Sequence, residues 1–295
     1  MTVKIRPLHP MIGAECIGVD LCRPLSPDDI ASIERGMDHH AVLIFPAQNI
    51  TDDQQIIFTK YFGPLERTYG GNIRKTTERR LREEFADVSN LDHRGNIQSQ
   101  TDRNRMFNLG NQLWHTDSSF RATPARYSVL SGRIIPEHGP DTELADMRAA
   151  YDALDDGTRQ QVEDLVCHHS LIYSRGQLGF DEFSEDERQR FAPVRQRLVR
   201  THPVTGRKSL FLSSHIGVIE GWPVPEARAF IRDLMEHATQ RKFVYAHKWR
   251  QFDLVIWDNR QTMHRVRRFD DSKLARDARR TTVAGDMPTI SQDMK

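Results

Sequence analysis

The order of elements in this sequence predicts a mostly β fold with flanking helices, a jelly roll or related double-sheet barrel. Three observations lead there. Short β-rich stretches separated by turn signals dominate from Tyr127 onward. Capped or amphipathic helices are few and well separated. No internal repeat or low-complexity linker divides the 295 residues, so one domain over 1–295 is expected, long enough to bury a sizeable core.

In chain order, the first half mixes helix and strand. Ser26-Pro27-Asp28-Asp29 opens a helix: a capping serine, a proline at the first helical position, and acids in the first turn. That helix should end near His39-His40 and lead into an apolar strand, Ala41 to Phe45. Thr51 with Gln54 three residues on is a capping-box pattern, opening a second helix to about Phe62 that Gly63-Pro64 stops. Residues 67–111 change character, with Arg74-Lys75, Glu78-Arg79-Arg80 and Arg82-Glu83-Glu84 in close succession. Such a stretch is either a solvated surface helix of mixed charge or a lid over an active site, since long polar segments inside compact domains are often functional.

The later strands expected are Tyr127 to Ile135, Val199 to Thr201, Ser209 to Leu212, Leu254 to Trp257 and Thr281 to Ala284, with a turn over Thr201–Arg207. Two helices interrupt them. One should start near Thr158, with Gln161 completing a capping box. The other spans about Pro225 to Ala238, where Ala227, Phe230, Ile231, Leu234, Met235 and Ala238 make an apolar packing stripe at i, i+3, i+4, i+7 spacing.

Composition bounds the partners. A formal net charge of +1, from 42 Lys and Arg against 41 Asp and Glu, argues against a general nucleic-acid binder while leaving room for a local basic pocket. No apolar run approaches the roughly 18–20 residues of a membrane span. The opening Met1-Thr-Val-Lys-Ile-Arg-Pro-Leu lacks the apolar core of a signal peptide. Neither nucleic acid nor membrane is an expected partner, and the expected location is the cytoplasm. Cys16, Cys22 and Cys167 form no CxxC pair and no zinc spacing, and read as reduced thiols packed as small side chains.

Chemistry concentrates in Asn111-Gln-Leu-Trp-His115-Thr-Asp117-Ser-Ser-Phe120. His115 and Asp117 are two apart, so on an extended strand both face the same way and supply two-thirds of a 2-His-1-carboxylate triad. A His-x-Asp pair alone occurs often by chance. Some 150 residues later Trp257-Asp-Asn-Arg-Gln-Thr-Met-His264 follows an apolar strand, and His264 is a candidate third ligand. Arg276-Asp-Ala-Arg-Arg280 then places arginines four apart ahead of a β-type stretch, and guanidinium geometry matches carboxylates. Three protein ligands leave three positions on an octahedral iron. A 2-oxo acid can fill two and O₂ the third, with an arginine for the far carboxylate. His202 and His215 fit no motif and read as surface or turn histidines; Trp257 reads as core.

Carried by Trp114-His-Thr-Asp-Ser-Ser-Phe120, Gly139-Pro-Asp-Thr142, Trp257-Asp-Asn-Arg260 with His264, and Arg276-x-x-x-Arg280-Thr, the chain resembles the TauD/TfdA family of iron(II), 2-oxoglutarate-dependent oxygenases. The resemblance runs from Gly13 to Val283 and is nearest the herbicide-degrading branch, as in Asn111 to Phe120 and Asp146-Met-Arg-Ala-Ala-Tyr-Asp-Ala-Leu154. It implies a double-stranded β-helix, cupin-like, with helices around it. It implies iron(II) on His115, Asp117 and His264, and the distal carboxylate of 2-oxoglutarate on Thr142 and Arg276. Arg280 would face the anionic group of a small organic substrate, with Asn111 in polar contact nearby, O₂ as co-substrate and ascorbate as a stimulant. Halogenating members carry a small residue where Asp117 stands, so hydroxylation is implied, and homo-oligomers are common in the family.

Hydroxylation of an aryloxyalkanoate beside its ether oxygen would give a phenol and an oxo acid. Taurine or another alkylsulfonate, or a different carboxylate, is the alternative substrate. The herbicide-degrading pattern would have a lysine after Phe62-Gly-Pro-Leu-Glu66 and another after Asp92-His-Arg-Gly95. Here Arg67-Thr-Tyr-Gly-Gly-Asn72 and Asn96 stand there, with Arg67, Arg74 or Arg94 as candidate replacements. Two readings of other classes use the same ligands. A zinc-type hydrolase would leave Thr142, Arg276 and Arg280 without a task. The other is a metal-binding β-barrel module without turnover.

Overall fold

Alternation along the strands decides how this chain layers. A computed structural model describes residues 3–67, 73 and 79–294. It runs through β1 (Lys4–Pro7), β2 (Ala14–Ile17), α1 (Pro27–His40), β3 (Val42–Phe45), α2 (Asp52–Lys60), β4 (Ala86–Asp87) and α3 (Arg103–Asn108). Then come β5 (Tyr127–Ile134), β6 (Thr142–Asp146), α4 (Met147–Asp152), α5 (Asp156–Val162), β7 (Val166–His169), α6 (Leu171–Gly176) and α7 (Glu185–Arg190). The chain closes with β8 (Val194–Arg197), β9 (Val199–Thr201), β10 (Lys208–Leu210), β11 (Ile216–Ile219), α8 (Val224–Ala238), β12 (Val244–His247), β13 (Leu254–Asp258), β14 (Thr262–Val266) and β15 (Asp277–Thr282).

The main sheet has the order β1-β2-β3-β13-β5-β15-β4, and a second sheet, β12-β6-β14, faces it. Every residue of β3 and β13 is buried, because both faces of the main sheet are covered. Period two then sorts the side chains. Leu43, Phe45, Tyr127, Val129, Leu254 and Ile256 point outward to meet Ile33 and Met37 of α1 and Phe58 of α2. Val42, Ile44, Leu130, Val255, Trp257 and Ala278 point inward to meet Leu144 of the facing sheet. The two sheets form the double-stranded β-helix, and its interior is where the candidate site residues project. A further core joins α4, α5 and α8 to β7, β9, β10 and β11.

The helix signals correspond closely to what forms. Ser26 caps α1 through the N–H of Asp29, and the capping box of Thr51 and Gln54 is made in full. Ala41 is not a strand residue: it closes α1 at φ 59°, its N–H on Met37 O. The helix near Thr158 begins earlier than expected. Asp155 caps it, accepting from the N–H of Thr158 at 2.9 Å, because a carboxylate three residues ahead takes the place of the threonine cap. The α8 stripe is made as read, with Ala227, Leu234 and Ala238 buried and Phe230, Ile231 and Met235 packed against the same core.

Three expectations change. The described part of 67–111 is no solvated surface helix: it contains β4, α3 and a 3-10 turn, and buries Ile73, Phe85, Leu91 and Phe107. Arg74, Lys75 and Glu78 of its charge runs lie outside the described residues. The last strand starts at Asp277 rather than Thr281, since it pairs with β5 along its length and with β4 at Arg279 and Arg280. Cys22 is exposed, while Cys16 and Cys167 are buried, and all three thiols are free. Among the described residues no helix is long and apolar enough to cross a membrane.

Candidate active site

His264 is the middle residue of β14. It trades both backbone hydrogen bonds with His115, N–H to O at 3.0 and 2.9 Å, in an isolated bridge. The expected extended strand through Asp117 does not form. The chain turns immediately after the bridge, with Ser118 at φ 55°, and the Asp117 carboxylate lies beside both imidazoles. One ligand atom from each of His115, Asp117 and His264 lies within 4.8 Å of the others, and all three residues are buried. The two Nε2 atoms stand 3.9 and 3.7 Å from the two carboxylate oxygens of Asp117.

The protonation states follow from the surroundings. His115 Nδ1 lies 2.8 Å from the carbonyl of Leu113, an acceptor, so that nitrogen carries the hydrogen and Nε2 keeps its lone pair. Burial lowers the pKa of His115, and burial with the neighbouring His115 holds His264 well below the usual imidazole value, so both rings are neutral. For Asp117 burial alone would raise the pKa. Arg280 foremost, then the two imidazoles and a hydrogen bond from Ser128, bring it down to about 2. Two neutral imidazoles and one ionised carboxylate are a donor set that fits a divalent first-row metal such as iron(II).

The arginines divide by strand alternation. Arg276 and Arg280 share the inward face with Ala278, whereas Arg279 points outward to Asp52 of α2, at 2.8 Å. Arg280 donates to Asp117, and its buried Nε has no hydrogen-bond partner among the described residues. Arg276 donates to Val88 O at 3.0 Å, its Nε is likewise without a partner, and burial lowers its pKa to about 10. It lines a small cleft with Val266, which stands opposite Thr142 in the β6–β14 pairing. The hydroxyl of Thr142 accepts from Trp249 Nε1 at 2.9 Å. Asn111 lines both that cleft and the cavity beside Asp117.

Sequence reading missed several groups. His215 is buried rather than a surface or turn residue: its Nδ1 is 2.9 Å from Ser174 Oγ and its ring is 5.9 Å from that of His115. His202 is also buried, 3.4 Å from Asp258, in a charged cluster behind the site. Arg175 lines the cavity, buried, over the face of Phe107 at 4.3 Å; burial lowers its pKa to about 9. Glu66 is pushed up by burial despite Arg121 at 3.4 Å and a hydrogen bond from Ser118 at 2.7 Å. Nothing in the local pattern signals these residues, because distant segments bring them together. Of the arginines offered in place of the absent lysines, Arg67 and Arg94 are exposed and do not line this cavity, and Arg74 lies outside the described residues. Among the described residues, the cations on its wall are Arg79, Arg80, Arg121, Arg175 and Arg280.

This fold and donor set define a class, and comparison with known proteins agrees. The model of the "Taurine catabolism dioxygenase TauD, TfdA family" matches residues 4–282, and the chain belongs to that family. Among its relatives, the alpha-ketoglutarate-dependent 2,4-dichlorophenoxyacetate dioxygenase of Cupriavidus pinatubonensis is 45% identical over 97% of this chain and 99% of that protein. The (S)-phenoxypropionate/alpha-ketoglutarate-dioxygenase of Delftia acidovorans is 36% identical over 91% of each. The crystal structure of AAD-2 in complex with Mn(II) and N-oxalylglycine superposes with a TM-score of 0.96 at 55% identity, covering 98% of this chain and 100% of that one.

Proposed function

We propose that this iron(II)- and 2-oxoglutarate-dependent dioxygenase hydroxylates aryloxyalkanoates, and that His115, Asp117 and His264 hold its iron. The convergence of two neutral imidazoles and one ionised carboxylate beneath an arginine-walled cavity carries this reading. Relatives named for 2,4-dichlorophenoxyacetate and phenoxypropionate, and a structural neighbour bound to Mn(II) and the 2-oxoglutarate analogue N-oxalylglycine, support it. Bound iron(II), with 2-oxoglutarate and O₂, supplies the oxidising power: 2-oxoglutarate becomes succinate and CO₂, and one oxygen atom enters a substrate C–H bond.

The chain's own residues bind and orient. Arg276, buried with an unpartnered nitrogen and neighboured by the strand pair that bears Thr142, takes the distal carboxylate of 2-oxoglutarate. Arg280, adjacent to Asp117, anchors the substrate carboxylate, which keeps the carbon beside the ether oxygen near the metal. Asn111 sits between the two binding regions, and Arg175 and Arg121 add positive potential to the wall. Hydroxylation at the ether carbon leaves a hemiacetal that collapses to a phenol and an oxo acid. The described part of 67–111 serves as a lid, with Phe85, Val88, Asn104, Phe107 and Asn111 in the cavity wall. The free thiols fit action in the cytoplasm.

The test is succinate release by anaerobically purified protein given Fe(II), 2-oxoglutarate, ascorbate and O₂. The substrate panel holds aryloxyacetates, aryloxypropionates and taurine, with His115→Ala as control. Succinate with a phenol from an aryloxy acid, lost in His115→Ala, is expected. Succinate with taurine alone moves the substrate to sulfonates, and no succinate with iron bound refutes the reading.

A further inference from the structure

One buried hydrogen-bonded chain runs behind the metal-binding triad without taking part in the binding steps above. Trp257 Nε1 donates to Asn259 Oδ1 at 3.1 Å, Asn259 Nδ2 donates to Ser128 Oγ at 3.0 Å, and Ser128 Oγ donates to Asp117 Oδ2 at 2.7 Å. Ser128 and Asn259 are fully buried and Trp257 is 1% exposed, so water does not compete for these bonds.

The direction of the chain is dictated by its far end. An indole nitrogen only donates. Asn259 must therefore turn its carbonyl oxygen to Trp257, which aims its amide hydrogens at Ser128. The serine oxygen, receiving that hydrogen bond, directs its own hydrogen to Asp117. The polarity fits an ionised carboxylate, which accepts only. Meanwhile the ring of Trp257 packs on that of His264, with centroids 4.6 Å apart. A single connected structure thus starts against one imidazole of the triad and ends on its carboxylate.

We propose that Ser128 and Asn259 are positioning residues for the metal centre: oriented from Trp257, they tie down Asp117 Oδ2, so that the carboxylate offers the metal only Oδ1, the oxygen to which Arg280 donates here. The inference rests on the reading of His115, Asp117 and His264 as ligands. Its consequence is chemical. A carboxylate free to rotate and bind through both oxygens would occupy a position that 2-oxoglutarate or O₂ requires.

Two variants break the chain in different ways. Ser128→Ala removes the donor to Asp117. Asn259→Asp still satisfies Trp257 but turns the group facing Ser128 into an acceptor, which draws the serine hydrogen away from Asp117. Ser128→Thr keeps the hydroxyl. The measurements are Fe(II) affinity by anaerobic titration, the charge-transfer absorption on adding 2-oxoglutarate, and the melting temperature of metal-free protein. Expected are Fe(II) affinities about 10- to 100-fold weaker in Ser128→Ala and Asn259→Asp, a shifted or weakened absorption band, and recovery in Ser128→Thr. Wild-type affinity and absorption in Ser128→Ala and Asn259→Asp overturn the proposal, as does a loss that Ser128→Thr shares and that follows the metal-free melting temperature. His115→Ala separates this from the underlying reading. If it keeps wild-type Fe(II) affinity, the ligand assignment itself fails. If it alone loses Fe(II), only the role of Ser128 and Asn259 falls.

Discussion

Arg276→Gln separates what a buried cation costs the protein from what it is for. Arg276 is 5% exposed, and one of its nitrogens donates to Val88 O while its Nε has no partner among the described residues. The adjacent carboxylate, Asp277, is already engaged by Arg80 at 2.6 Å and Arg279 at 3.0 Å. Burial lowers the guanidinium pKa from 12.5 to about 10, which corresponds to about 3 kcal/mol against the charged form. The sign is clear: for a base whose folded pKa is depressed, the penalty is present at every pH below that value, so at neutral pH the ligand-free protein bears it in full. Glutamine removes the charge and loses one hydrogen bond to Val88 worth about 1.5–3 kcal/mol. The two nearly cancel, so the melting temperature of ligand-free protein stays within a few degrees of wild type. Binding of 2-oxoglutarate behaves differently. Truncating one side of a buried charge pair costs roughly 2–5 kcal/mol, or about 30-fold to several-thousand-fold in Kd. Calorimetric titration of 2-oxoglutarate into metal-loaded protein, beside thermal melts of metal-free protein, measures both. Affinity within about threefold of wild type, or a loss matched by a large fall in melting temperature, refutes the argument.

Other perturbations follow from the same geometry. Arg280→Gln should raise KM for an aryloxy acid by about 10- to 150-fold, the worth of a charge-assisted bond, and leave 2-oxoglutarate affinity alone. Arg280→Lys should restore only part of it, lacking the planar fork; steady-state kinetics with each substrate varied decides. For Asp258, burial alone would raise the pKa, but Arg260, then His202 at 3.4 Å, holds the carboxyl far below 3.8. Its stabilisation is therefore present above about pH 4 and lost as pH falls toward the folded value. Asp258→Asn should destabilise by about 3–5 kcal/mol at pH 7, with the gap to wild type narrowing below pH 4; denaturant melts showing an equal gap at both pH values contradict this. A Cβ on Gly110 would lie 2.5 Å from Arg175 Cζ, so Gly110→Ala should displace that guanidinium, cost about 1–3 kcal/mol and raise KM for the substrate. Unchanged stability and KM would remove Arg175 from the cavity wall's function.

What sequence could say about the fold depended on how local each signal was. The Ser26 and Thr51 caps act within one turn of helix and the α8 stripe within one helix, and they form as read. Leu254 to Trp257 reads as a buried strand because both faces are covered, and it is one. Boundaries failed where a neighbour outside the pattern intervened. Asp155 took the cap from Thr158, and pairing with β5 and β4 drew Asp277 to Arg280 into a strand that their charge would not suggest. The charge-dense run before Asn111 misled more seriously, because Arg80 spends its charge on Asp87 and Asp277 while Phe85 and Phe107 turn inward.

The site divides along the same line. Period two explains why Arg276 and Arg280 can share the interior while Arg279, between them, meets Asp52 outside. That sorting follows once Asp277–Thr282 is known to be a strand, which its charge does not announce. The approach of Asp117 to the two imidazoles was not legible, since the chain leaves the His115 bridge straight into a turn instead of continuing as the extended strand that the His-x-Asp spacing suggested. Half-buried Glu66 and buried Arg175 and His215 were illegible for a further reason: an ionisable side chain shielded from water looks the same in sequence as an exposed one. Their burial becomes explicable only together. Arg121 and Ser118 satisfy Glu66, Phe107 and Ser174 hold Arg175, and Ser174 bonds His215 in turn. Two bonded groups thus line the cavity, Glu66 with Ser118 and Arg121, and Phe107, Arg175 and His215, the last two joined through Ser174. Among the described residues, positive charge reaches the cavity from α6, from the turn after Asp117 and from β15, and not from Arg67 or Arg94.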